Sequence, residues 1–104
     1  MDNRLQNGKP WSGTDSDGTN PIVTQAAVVG RSFLLSELSC SSDKAGAIIL
    51  VKDGTTVIWQ LVIGATAFSK VFQKPLRATQ GALLSVEVDS TSVGKANAQG
   101  VYLE

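Results

Sequence analysis

The chain reads as an all-β protein: a jelly-roll-like β-sandwich of seven or eight short antiparallel strands, preceded by an extended N-terminal arm. Three observations predict this class. Apolar and polar residues alternate over short runs, most clearly in Leu84-Ser85-Val86-Glu87-Val88-Asp89, so that one side of a pleated strand can meet a core. Clusters of Gly, Ser and Asp interrupt these runs at roughly 8- to 12-residue intervals, the spacing of a sandwich. Apolar residues never recur at i, i+3, i+4 and i+7 for the three turns that a helix needs.

Residues 1–20, MDNRLQNGKPWSGTDSDGTN, are polar and rich in Gly, Asn and Asp, with Met1, Leu5 and Trp11 as their sizeable apolar groups. They are assigned to the arm, and residues 21–104 to the sandwich domain. The first strand is expected in Ile22–Val28, ending at Gly30. Arg31–Cys40 follows, with Leu34, Leu38 and Cys40 on one face, Phe33 and Leu35 on the other, and Glu37 outward. Ala47–Val51 is apolar throughout, which suits a strand covered on both faces or one at a subunit contact. Asp53-Gly54 then signals a tight hairpin.

Thr56–Ile63 divides into Val57, Trp59, Leu61 and Ile63 inward, and Ile58 and Val62 outward on either side of Gln60. Phe68–Gln73 places Phe68, Lys70 and Phe72 on one side. Pro75, which cannot donate to a ladder, is expected to separate Leu76–Thr79 as an edge segment or a strand of its own. Ala82–Asp89 has Leu84, Val86 and Val88 inward and Ser85, Glu87 and Asp89 outward. A loop of small residues, 90–97, leads to a last strand ending Val101-Tyr102-Leu103-Glu104. Strand order stays open, because jelly-roll and immunoglobulin-like sandwiches share these patterns.

Composition narrows the functional classes. Nine basic and nine acidic residues cancel, leaving no net field to attract nucleic acid or an anionic membrane. No window approaches the ~18 apolar residues that cross a bilayer, and Met1-Asp2-Asn3-Arg4 opens without the apolar stretch of a signal peptide. Cys40 has no cysteine to pair with, fits a small buried position, and agrees with synthesis in a reducing cytoplasm. Histidine is absent, which removes the commonest general base and metal ligand. Ser69 and Lys70 adjoin, but neighbours on a strand point to opposite faces. Glu87 and Asp89 share a face that normally meets solvent. The chain is therefore expected to be no enzyme and to carry no cofactor. Asp15-Ser16-Asp17-Gly18-Thr19-Asn20 echoes part of a calcium loop but lacks its third acidic position and late glutamate, so it reads as a polar turn.

The remaining candidates are contact residues. Trp11 stands in a polar segment without a core of its own, and burying it is worth ~2–3 kcal/mol. It either folds back on its own sandwich or anchors the arm, with Leu5, in a neighbouring subunit. Trp59 is expected in the core, the alternative being a sugar-stacking platform. Lys70, Lys74 and Arg77 form a basic cluster around Pro75, suited to an acidic partner surface or to a solvated edge that repels sheet-to-sheet pairing.

From Gly46 to Glu104 the order of features resembles that of small jelly-roll-like virion proteins of tailed bacteriophages. The features are a buried strand closing on Asp53-Gly54, the strand Thr56-Val57-Ile58-Trp59-Gln60-Leu61, and the small-residue turn Gly64-Ala65-Thr66. A Phe strand running to Pro75-Leu76, a glycine turn before Leu83–Val88, and Tyr102 before a closing acid complete the series. The resemblance implies a head decoration or cement protein: a homotrimer on the capsid surface, bound to the major capsid protein. In that reading the arm ties capsid subunits together through Leu5 and Trp11, and Ala47–Val51, or the outward Ile58 and Val62, supplies the subunit contact. The competing expectation is a carbohydrate- or receptor-binding jelly-roll module of a tail fibre or adhesin, which calls for exposed aromatics in a polar groove.

Overall fold

Two four-stranded antiparallel sheets pack face to face in a computed structural model that describes residues 8–16, 20–89 and 94–104. The eight strands are β1 (Lys9–Asp15), β2 (Ile22–Gln25), β3 (Ser32–Ser41), β4 (Ile48–Asp53), β5 (Thr56–Val62), β6 (Ala67–Arg77), β7 (Leu84–Asp89) and β8 (Lys95–Leu103). One sheet has the order β1-β8-β3-β6 and the other β2-β7-β4-β5. The antiparallel pairs β1:β8, β2:β7, β3:β6 and β4:β5 are nested and alternate between the sheets, so the chain is one long hairpin rolled up on itself. That winding is a jelly roll, and it resolves the strand order left open by sequence.

The hairpin at the centre of the roll is the one signalled by Asp53-Gly54. Asp53 pairs with Thr56 across a two-residue turn, and Gly54 takes φ +63° at its first central position, where a side chain would be strained. Leu84, Val86 and Val88 of β7 point inward and are buried, with Glu87 and Asp89 outward, as their alternation requires. β4 lies between β7 and β5, with Ala47, Ile49 and Val51 in the core and Ile48 and Leu50 half-buried on the outer face.

The sandwich includes residues 9–15, ahead of Pro21. Residues 9–15, assigned to the arm, form β1, in register with β8 from Lys9↔Tyr102 to Asp15↔Ala96. Trp11 is 8 % exposed and packs edge-on to Phe33, with ring centroids 6.5 Å apart. Its indole N–H is shared between the carbonyl oxygens of Leu34 and Val101, 3.1 Å from each. Trp11 is thus a core residue of its own subunit and not an anchor in another. Leu5 lies outside the described residues. The segment looked like an arm because an edge strand covered on one face needs few apolar residues. Here one indole fills most of that face, and Gly13 leaves room for Val23, whose Cγ1 stands 2.4 Å from where a Cβ would be.

Bulges account for two further departures. In β3, Phe33 and Leu35 are buried together with Leu38 and Cys40, although strict alternation puts the two pairs on opposite faces. Both ladders of β3 shift register between Leu35 and Glu37, and the extra residue, Ser36, reverses the phase. In β5, Val51 pairs with Trp59 and Lys52 with Val57, which leaves Ile58 unpaired. Ile58 therefore packs against the core instead of facing outward, and Val57 takes the outer position opposite Lys52. Ile58 is accordingly withdrawn as a subunit contact.

Smaller differences concern strand limits. β2 ends at Gln25, short of Val28, and β8 starts at Lys95, inside the expected loop. β6 continues through Pro75 to Arg77 as one strand. It lies at the edge of its sheet, where a missing N–H costs no ladder bond. Between Val71 and Leu76 four β6 residues face the single Ser36.

Gly100 faces the β3 bulge. A Cβ there would stand 1.8 Å from the Leu34 carbonyl oxygen and 3.1 Å from the Ser36 nitrogen, both backbone atoms. Cys40 is buried beside the same strand, and burial pushes its thiol from 9.0 up to about 11, a backbone hydrogen bond with Asn97 pulling weakly the other way.

Four outcomes follow from this packing. Trp11→Ala should lower the unfolding free energy in urea melts by ~3–5 kcal/mol, most or all of the stability of a small domain. Removing residues 1–15 should unfold the chain, whereas loss of a mere arm would leave a folded sandwich. Gly100→Ala should cost at least ~1–3 kcal/mol, because the clash is with backbone that side-chain rotation cannot relieve. The Cys40 proton is kept by the folded chain and lost by the unfolded chain between pH 9.0 and about 11, so stability should fall across that window. Urea midpoints at pH 8 and pH 10.5 should show the extra decline in the wild type and not in Cys40→Ala.

Candidate functional site

The candidate surfaces among the described residues are the two outer sheet faces and the sheet edges. Among the described residues no group of three or more Cys, Asp or Glu side chains is placed to hold a metal ion. Of the calcium-like segment, residues 17–19 lie outside the described residues. The Asp15 carboxylate accepts a 2.8 Å hydrogen bond from the Ile22 N–H, tying the end of β1 to the start of β2.

The outer face of the β1-β8-β3-β6 sheet is polar and shallowly concave. Register lines up two rows across it: Ser12, Gln99, Glu37 and Val71 in one, and Thr14, Asn97, Ser39 and Ser69 in the other. Their side chains are linked within the rows. Gln99 donates to Glu37, Thr14 to Asn97, and the Ser39 and Ser69 hydroxyls lie 3.2 Å apart. The rows floor an open groove of about 700 Å³, with Lys70 at one side. All six aromatic residues of the chain pack in or against the core, so none stands in this groove as a stacking platform. Trp59 in particular packs edge-on to Phe72, with centroids 5.4 Å apart.

The outer face of the β2-β7-β4-β5 sheet is more apolar. Ile22, Ile48, Leu50, Val57 and Val62 lie on it by register, and Val62 is 64 % exposed. An ion pair crosses the strip, Lys52 Nζ to Glu87 Oε1 at 2.8 Å. The hydrogen bond and charge of Glu87 raise the Lys52 pKa above its ordinary value. Val62 thus keeps the outward position expected for a contact residue, and the half-buried Ile48 and Leu50 extend the same face.

The basic cluster lies on β6. Lys70, Lys74 and Arg77 are exposed along this sheet edge. Lys70 Nζ stands 5.7 Å from the centroid of the Phe72 ring, and Arg77 reaches the Ser32 hydroxyl at 3.4 Å. Sequence reasoning missed a further apolar tip, Ala26–Val29, which leaves the sheet after β2 and ends in Val29, 99 % exposed. At the same end, Arg31 stacks 4.0 Å over the Tyr102 ring and pairs with Glu104 at 3.2 Å.

No protein-family model matches the chain, and no curated protein matches it. Solved structures share the fold. A pentameric capsid protein isolated from metagenomic phage sequences superposes on all of this chain and 67 % of its own length, with TM-score 0.54 and 17 % identity. The Drosophila NLP core, whose structure concerns pentamer formation and histone binding, covers 91 % of this chain and 98 % of its own, with TM-score 0.54 and 10 % identity. A carbohydrate-binding module from Cellvibrio mixtus lichenase 5A, in complex with cellotriose, is more distant at TM-score 0.45 and 12 % identity, covering 97 % of this chain and 94 % of its own. At these identities the likeness is one of fold.

Proposed function

We propose that this chain is a structural protein of a tailed-phage virion, a self-associating jelly roll that binds the outside of the assembled head and stabilises it. One observation carries the reading: the whole chain superposes on a phage capsid protein, and the described surface offers an apolar sheet face where an enzyme would have convergent groups. The pentameric assembly of both better-matching neighbours supports self-association.

The mechanism is linkage. A protein that binds only the finished shell lowers the free energy of that state by RT ln(1 + [L]/Kd) per site, and so opposes rupture by packaged DNA. With Trp11 committed to its own core, shell binding passes from the arm to the sandwich. The strip of Ile48, Leu50, Val57 and Val62 provides apolar area, and Lys70, Lys74 and Arg77 meet acidic groups of the major capsid protein. Whether three copies meet, as the sequence led us to expect, or five is imposed by the symmetry axis of the lattice that they occupy.

Particles purified from a host lacking this gene should therefore lose infectivity at lower temperature than complete ones, and added protein should restore them. Changing Lys70, Lys74 and Arg77 together to Glu should reduce occupancy on the particle by ~10-fold or more, as expected for loss of ~1.4 kcal/mol or more of binding. Full occupancy by that variant would refute the basic edge as the docking surface. The polar groove keeps a second reading in play, a glycan- or receptor-binding module of a fibre. Specific binding of the isolated chain on a glycan array, abolished by Glu37→Ala, would favour it over the head protein.

A further inference from the structure

A sandwich of two open sheets has four edges, and this chain treats one of them differently. β6 carries Lys70, Lys74, Arg77 and Pro75, together with a wide irregularity opposite Ser36. β1 carries Lys9, Pro10, Gly13 and Asp15. β2 has only four residues, and its first N–H is taken by the Asp15 carboxylate. Charge, proline, irregularity and shortness are the means by which proteins keep sheet edges from pairing. β5 has none of the first two and is seven residues long: Thr56-Val57-Ile58-Trp59-Gln60-Leu61-Val62, without a charge, a proline or a glycine. Its one bulge, at Ile58, leaves the run from Trp59 to Val62 in regular register with β4.

The same strand concentrates exposed apolar surface. Among the described residues seven large hydrophobic side chains are exposed, and three of them, Val57, Leu61 and Val62, are on β5. Leu61 is informative because its partner Ile49 is fully buried, so it lies on the core face yet remains 37 % exposed at the open rim. Among the described residues no strand lies beyond β5, which is the last of its sheet.

We propose that β5 is a twofold contact, at which the β5 strands of two copies pair antiparallel and join two four-stranded sheets into one of eight. Charge selects a second copy as the occupant. An isologous contact sets a strand against itself, so the positive β6 edge would repel its own copy, whereas the uncharged β5 edge meets no such penalty. Keeping both cores on the same side of the joined sheet requires residues of like facing to oppose each other, and the register that covers the exposed Leu61 with an aromatic ring is the one centred on Gln60. Trp59 then faces the second copy's Leu61, which covers the exposed rim, and Gln60 faces its own counterpart on the axis. The inference stands on strand chemistry alone and does not depend on the virion reading.

Edge pairing of one strand covers less than the ~1,600 Å² of a standard interface, so dissociation at ~μM concentration is expected. Light scattering on the full chain should give twice 10.9 kDa when concentrated and 10.9 kDa on dilution. Gln60→Lys combined with Val62→Lys should give a monomer throughout with an unchanged melting temperature, since both positions are exposed. Val71→Lys, on the β6 edge and 68 % exposed, should leave the dimer intact. Under oxidation Gln60→Cys should form a disulfide-linked dimer, because directly opposed strand residues lie within disulfide reach and Cys40 is buried. A wild-type chain that stays monomeric at millimolar concentration, a dimer that survives the double lysine variant, or a Gln60→Cys chain that does not cross-link would overturn the proposal. None of these results bears on particle occupancy, on which the virion reading is scored.

Discussion

The indole N–H of Trp11, held between the carbonyls of Leu34 and Val101, is made possible by two irregularities in neighbouring strands. The bulge at Ser36 displaces the β3 backbone toward β8, and Gly100, with no Cβ, lets the chains approach there. Three strands that are distant in sequence thus converge on one donor. A buried carbonyl left without a donor costs ~1–3 kcal/mol, so β1, β3 and β8 are bound to one another by more than their ladders. From this point an aromatic series runs through Phe33 to Tyr102, with Arg31 stacked on the last ring and paired with Glu104. The integrity of one sheet rests on this junction.

What the sequence revealed and what it hid divide along a physical line. β7 was legible because it is regular, with both neighbours in simple register, so alternation maps directly onto burial. The Asp53-Gly54 hairpin was legible because its backbone demand is local. β3 and β5 were misphased in part because a bulge inverts every assignment on one side of it, and nothing in Leu35-Ser36-Glu37 or Val57-Ile58-Trp59 marks the inserted residue. β1 was missed for another reason. Its evidence is a single tryptophan whose partners are 23 and 90 residues away, and composition averages such a residue into its polar surroundings. The contact residues fared in the same way. Val62 lay outward where period two put it, whereas Ile58 was turned inward by a bulge that only the β4 register discloses.

The distribution of polarity sets the two sides of the molecule apart. Its outer faces differ: one sheet presents hydroxyls, amides and a carboxylate already bonded to one another, the other an aliphatic strip crossed by the Lys52–Glu87 pair. A self-satisfied polar face gains little by binding and stays wet. An aliphatic face gains by leaving water at roughly 25 cal/mol per Å². The asymmetry gives the sandwich a dry side and a wet side.

The rolled-hairpin winding also has a consequence for how the chain is made. Because β1 pairs with β8, β1 leaves the ribosome well before its partner strand does. The innermost hairpin, β4–β5, can close early, since only a two-residue turn separates its strands. Synthesis therefore exposes the uncharged β5 edge before the β1-β8-β3-β6 sheet is complete, so nascent chains crowded on one messenger could meet edge to edge before either has finished folding.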